Sequence, residues 1–136
     1  MNYNFILIII LVSLFAFVDI AASSDLTLVG EQADGRSLYI ARDTLVRIDN
    51  DMAVMVAVTN YPNGFPSKKE VHSIIGQMYI DCGRSGGLSI GFIMGTTLAM
   101  GEGEIILKKP ASDKGGWREF PPDTPGYILW AIGCGL

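Results

Sequence analysis

Residues 83–87 read Gly-Arg-Ser-Gly-Gly, which matches the Gly-x-Ser-x-Gly pattern of a nucleophilic serine raised on a sharp turn. The chain has a single histidine, His72, and Asp81 lies between it and Ser85. His72, Asp81 and Ser85 therefore occur in the order of a trypsin-like triad. In such a triad the serine attacks a carbonyl, the imidazole takes its proton and the carboxylate orients the ring. The serine elbow needs a strand before it and a helix after it, with the histidine later in the chain. Here the segment from Leu88 onward reads as a strand and His72 comes first. Asp81 and Ser85 also flank one turn, and the chain is too short for a double barrel. Residues 83–87 are accordingly read as a glycine-rich hairpin turn. A small secreted serine hydrolase using Ser85 and His72 stands as one alternative reading, and a purely structural or inhibitor-like periplasmic module as the other.

Other chemistries find less support. The same turn could offer backbone N–H groups and Arg84 to an anion, on a loose pattern. Gly101-Glu102-Gly103 is not followed by the Gly-Lys-Ser/Thr of a phosphate loop. One histidine and two cysteines that pair with each other leave no nitrogen–sulfur metal cage. Asp49, Asn50 and Asp51 lack the ligand spacing of a calcium loop. The expectation is no catalytic, cofactor-binding or metal-binding residue. Lys68, Lys69, Lys108 and Lys109 are read as solvated, and Trp117 and Trp130 as core anchors.

The residues with the clearest consequence are Cys82 and Cys134, the only two cysteines, 52 positions apart and each at the end of an apolar run. In an oxidising compartment they read as one disulfide tying the chain's end to an earlier strand. A closed loop of that size contributes about 4 kcal/mol in the chain-entropy model. The compartment is read from residues 1–23. Phe5 to Val18 is apolar except for Ser13, and small residues follow at Ala21, Ala22, Ser23 and Ser24. That is a signal peptide, too short for a membrane span. Its n-region carries no Lys or Arg, so an uncleaved anchor is the competing reading. No cysteine stands at the cleavage site, so no lipid anchor is expected.

The leader also inflates the mean hydropathy of +0.35. Without it, residues 24–136 form one domain with 10 basic and 13 acidic residues, Asp19 being lost with the leader. No basic tract points to nucleic acid.

Within the domain, Leu26–Val29 and Ser37–Ala41 predict a hairpin across the polar turn 30–35. The segment 42–45 breaks the pattern, Val46–Ile48 resumes it, and 49–51 turns. Met52–Thr59 is apolar on both alternate faces and carries β-branched valines, which predicts a central strand. A long loop over 60–69 precedes a strand at Ser73–Cys82. Leu88–Leu98 and Glu104–Leu107 are further strands, and Lys108–Gly116 is read as an exposed loop. Thr124 as N-cap and Pro125 at the first helical position predict a terminal helix. Tyr127, Trp130, Ala131 and Cys134 share one of its faces. Ile128, Leu129 and Ile132 make the other face apolar too, so the helix is either fully covered or meets a partner, and a homodimer contact near it is the expectation. The fold class is α+β: mainly an antiparallel sheet of about six strands, with one C-terminal helix packed on it and tied by the disulfide.

In order along the chain these features resemble the surface-adhesin protein E-like family of small secreted bacterial envelope proteins. The resemblance is carried by Leu28-Val29, Leu38-Tyr39-Ile40 into Asp43-Thr44-Leu45, the Met52–Tyr61 strand and Ile80-Asp81-Cys82. It closes with Trp117 through Pro122-Asp123-Thr124 to Cys134. It implies a sheet with a disulfide-held helix and exposure at the cell envelope. The leader, the sheet and the lack of a catalytic constellation point to a non-enzymatic protein, periplasmic or surface-exposed, that works by binding protein. The family's named member binds host matrix and serum proteins and can dimerise. This chain has no lipid-anchor cysteine and no matching basic adhesive segment, so only Cys82 and Cys134 carry over, as a structural bridge.

Overall fold

The computed structural model describes residues 25–110 and 116–136. The expected leader and residues 111–115 of the expected loop lie outside them. Six strands follow one another in an antiparallel meander: β1 (Leu26–Glu31), β2 (Ser37–Arg47), β3 (Met52–Asn60), β4 (Ser73–Asp81), β5 (Gly87–Thr96) and β6 (Ile105–Pro110). A two-residue strand, β7 (Arg118–Glu119), continues the β6 edge by pairing with Gly87 and Leu88 of β5. The chain ends in α1 (Pro125–Gly133).

The expected central strand is β3, held between β2 and β4. Its two apolar faces feed two cores. Ala53, Met55 and Ala57 join Ile40, Ile80 and Leu88 beneath Leu129 and Trp130 of the helix. Val56 and Val58 join Ala41, Ile75 and Met94 on the opposite face, flanked by Leu26, Tyr39, Phe92 and Ile105. Alternation along a pleated strand sends successive side chains to opposite faces, so one nine-residue segment serves both.

Several boundaries differ from the sequence reading. Residues 42–45 do not break β2. They form an irregularity between Ala41 and Val46, where the register against β3 shifts. The Thr44 hydroxyl takes up the ladder there, accepting the Val56 N–H at 2.9 Å and donating to the Ala41 carbonyl at 2.6 Å. A bulge of this kind keeps a strand going while letting polar residues pass through it. β5 stops at Thr96 instead of Leu98. There the buried Ser73 hydroxyl donates to the Leu98 carbonyl and accepts the Gly101 N–H, which pulls the chain into a short 3-10 turn at Ala99–Gly101. Lys108 and Lys109 lie in β6 and not in a loop. The turn at 49–51 is as expected, with the Asp49 carboxylate accepting the N–H groups of Asp51 and Met52.

The terminal helix starts where the cap predicts. Thr124 is extended, its hydroxyl accepts the Tyr127 N–H at 3.2 Å, and Pro125 occupies the first turn. Burial shows which of its apolar faces are covered: Leu129 is fully buried beside Trp130, and Ile128 alone among the outer trio is strongly exposed. A Thr124→Ala variant is expected to lose about 1 kcal/mol, the usual value of a lost cap. Urea unfolding followed by tryptophan fluorescence measures it, and an unchanged midpoint would show that the cap bond contributes nothing.

Cys82 and Cys134 are bonded to each other, with their Cα atoms 5.6 Å apart. The bridge fixes the last turn of α1 to the end of β4. Beside it, the Trp130 indole N–H donates to the Asp81 carbonyl at 2.8 Å.

Candidate functional site

The three residues of the possible triad do not meet. His72 precedes β4 and Ser85 follows it, so the nine residues of the strand separate them. At about 3.3 Å per residue this is roughly 30 Å. His72 instead places its Nδ1 3.2 Å from the Tyr61 carbonyl, at the far end of the sheet. Ser85 is exposed on the turn.

That turn has a mechanical role. The Arg84 guanidinium lies 3.7 Å from both the Asp81 and the Glu119 carboxylates, bridging the β4 end to β7. The Phe120 N–H donates to the Gly86 carbonyl at 2.9 Å. Gly86 has a φ of 69°, and a Cβ there would stand 2.2 Å from the Phe120 carbonyl oxygen. Only glycine fits such a left-handed position under so close an approach. The glycines that imitate a catalytic motif therefore make room for the chain segment that leads to the helix.

An ion pair is built into the β1–β2 turn. The Asp34 carboxylate accepts the Arg36 backbone N–H at 3.2 Å and the Arg36 Nε at 2.7 Å. Arg36 also bonds the Gln32 side chain, and its guanidinium sits 5.7 Å from the centre of the Tyr61 ring. The Arg36 backbone N–H is the main cause holding the Asp34 carboxyl below its ordinary range; desolvation opposes it, and the Arg36 side chain adds to it. A depressed carboxylate stabilises the fold above its unfolded pKa, and that contribution is lost as pH falls through the folded pKa. The turn is therefore expected to loosen only in acid, below the range where a free aspartate titrates. An NMR titration of the Asp34 carboxyl measures this, and an ordinary aspartate midpoint would contradict it.

The exposed apolar surface lies elsewhere. On the sheet face away from the helix, Leu28 is 49% and Val46 57% exposed. On the helix side, α1 covers only part of the sheet. The remainder is a trough of about 480 Å³ between Phe120, Gly126 and Leu129 on one wall and the strands on its floor. Among the described residues no group of three or more histidine, cysteine, aspartate or glutamate side chains is placed to hold a metal ion. No described helix is long and apolar enough to cross a membrane.

What the residues build is a scaffold class: a meandering antiparallel sheet whose terminal helix is strapped to one face by a disulfide, with its open surfaces on the sheet. The chain belongs to the surface-adhesin protein E family, whose model matches residues 26–135. Among solved structures it is similar to Haemophilus influenzae protein E. One structure of that protein shares 21% identity, covers 72% of this chain and 76% of its own, and gives a TM-score of 0.53. A second crystal form shares 22% identity over 72% of this chain and 80% of its own, with a TM-score of 0.52. The selenomethionine form shares 20% over 72% and 78%, also at 0.52. At these identities the likeness establishes the fold. No curated protein sequence matches the chain.

Proposed function

We propose that the chain is exported through residues 1–23 and works at the cell envelope as a non-enzymatic module, residues 24–136, that binds protein. The observation that carries this reading is the surface-adhesin family match, which spans nearly the whole domain. It is supported by the disulfide, which belongs to oxidising compartments. It is also supported by the separation of His72 from Ser85, which speaks against the hydrolase that would use that pair.

Cell fractionation, protease treatment of intact cells and N-terminal sequencing test it together. The expected result is an envelope protein starting near residue 24 that is cut from outside. Recovery from the cytosol with Met1 intact would overturn it. Binding is tested on immobilised matrix and serum proteins, and no saturable binding across the panel counts against the adhesive role. Ser85→Ala is expected to change neither binding nor hydrolysis of a nitrophenyl ester panel. A Ser85-dependent hydrolysis would restore the enzymatic alternative.

A homodimer forms part of this reading. The helix leaves mainly Ile128 exposed, at 41%, so the sheet face bearing Leu28 and Val46 offers the larger apolar contact. Sedimentation of the protein and of Val46→Glu decides it: a dimer that this change dissociates is expected, and a monomeric native protein would contradict it.

A further inference from the structure

The trough beside α1 is hollowed by small residues. Across the helix-side face the cross-strand row runs Ile40, Ala57, Gly76, Ile93, with the two smallest side chains in the middle. Leu38 and Met78 flank this low point, and Ile90 stands 45% exposed beside it. An apolar side chain left in water next to an apolar hollow is a surface that a hydrocarbon would cover favourably.

The polar groups collect at the trough's ends. Gln32, Arg36 and Tyr61 line it at the β1–β2 side, next to Thr59. Arg118 lines it from β7, at the opposite edge of the sheet. Arg118 pairs with Leu88 across the ladder, so both side chains stand on the helix-side face. Arg36 is already satisfied by Asp34 and Gln32. Arg118 is exposed and makes none of the ion pairs among the described residues, which involve Arg36 and Arg84.

The floor decides between a hydrocarbon and a peptide. Strands β2 to β5 each have a neighbour on both sides, so their N–H and C=O groups face along the sheet and are committed to the ladder. An extended peptide laid across them would find no ladder partner for the amides it buries, at a cost of kilocalories per group. A hydrocarbon needs no partner. The volume lies within the range of small-molecule sites.

We propose that this trough binds a single-chain acyl carboxylate, with its hydrocarbon against Leu38, Met78, Ile90 and Ile93 above the buried Ala57 and Gly76, and its carboxylate on the guanidinium of Arg118. This ligand chemistry is separate from the protein-binding role, and either could fail alone.

Calorimetric titration of the purified protein with decanoate, and with 1-decanol as the uncharged comparison, tests it. Saturable decanoate binding is expected, weaker at high salt. A Cβ at Gly76 would meet only ordinary contacts, at 3.8–4.0 Å from Met78 and from Ile90 and Ile93. Gly76→Val adds two methyls beyond that Cβ, toward Met78, Ile90 and Ile93, and should fill the hollow and reduce decanoate affinity at least tenfold in protein shown by circular dichroism to be folded. Arg118→Glu, at an exposed position, should reduce decanoate affinity at least tenfold while leaving decanol unchanged. Absence of saturable decanoate binding to the native protein would overturn the proposal. So would native affinity in both variants, or equal losses for decanoate and decanol in Arg118→Glu. If Gly76→Val instead halves the sedimenting mass without affecting decanoate, the trough is a seam between two copies and the proposal falls.

Discussion

Replacing both cysteines, as Cys82→Ala with Cys134→Ala, is expected to lower the unfolding free energy by about 4 kcal/mol. The bridge closes a loop over a sequence separation of 52, and in the chain-entropy model it acts by restricting the unfolded chain. Against a total of about 5–15 kcal/mol for a domain of this kind, that is a large share. The loss has a particular site. Without the bridge, the last turn of α1 is held to β4 by Leu129, Trp130 and Gly133 packed on the sheet, and by the indole bond to Asp81. Urea unfolding of the native and doubly substituted proteins, followed by tryptophan fluorescence, gives the difference. The denaturant slope should steepen in the variant, because an unfolded chain freed of its cross-link exposes more surface. A midpoint within experimental error of the native one would mean that the helix holds its place without the tether.

Trp130→Ala is the second large effect, at about 3–5 kcal/mol. The side chain is only 6% exposed, and its ring lies 5.1 Å from that of Tyr127. The substitution opens a cavity under the helix and leaves the Asp81 carbonyl without its indole donor. Trp130→Phe separates the two contributions: it keeps most of the apolar contact and loses the hydrogen bond, at about 1–3 kcal/mol. Asp81 and Cys82 are adjacent, so the indole bond and the disulfide hold the same end of β4. Their losses should not add, because residues that share a contact couple. The measurement is a double-mutant cycle of Trp130→Phe with the double cysteine variant. Strict additivity would show that the two fastenings act independently.

The parts of the fold legible in the sequence are those fixed by local rules. The Thr124–Pro125 cap located the helix because a threonine hydroxyl and a proline at the first turn satisfy that helix end by themselves. The double-faced Met52–Thr59 run located the central strand because burial on both sides removes the polar alternation. The parts that were not legible depend on contacts made across long separations. Nothing near residues 42–45 announces that the Thr44 hydroxyl will substitute for a ladder bond to Val56. The end of β5 is set by Ser73, more than twenty positions earlier, through its bond to the Leu98 carbonyl. β7 is two residues long and exists because Gly86 lets Phe120 approach.

The candidate sites divide in the same way. Cys82 and Cys134 could be paired from count and placement alone. The Gly-x-Ser-x-Gly match had no comparable backing, since its glycine spacing serves the packing of Phe120. The helix is apolar on every face, and periodicity does not say which face is covered; Leu129 lies inside because it packs with Trp130 on Ile40, Ile80 and Leu88. The trough was invisible to sequence reasoning. Ala57 and Gly76 come from different strands, and only the β3–β4 register places them side by side.

The central claim is that the terminal helix is covalently fastened to the end of β4. Trypsin digestion of the non-reduced protein under thiol-blocking conditions tests it most directly. Cleavage after Lys69, Arg84 and Arg118 isolates Cys82 in the peptide 70–84 and Cys134 in the peptide 119–136. Mass spectrometry is expected to show a single cross-linked species of the two peptides, released as separate peptides on reduction. Two separate peptides, each carrying a blocked free thiol before any reductant is added, would contradict it.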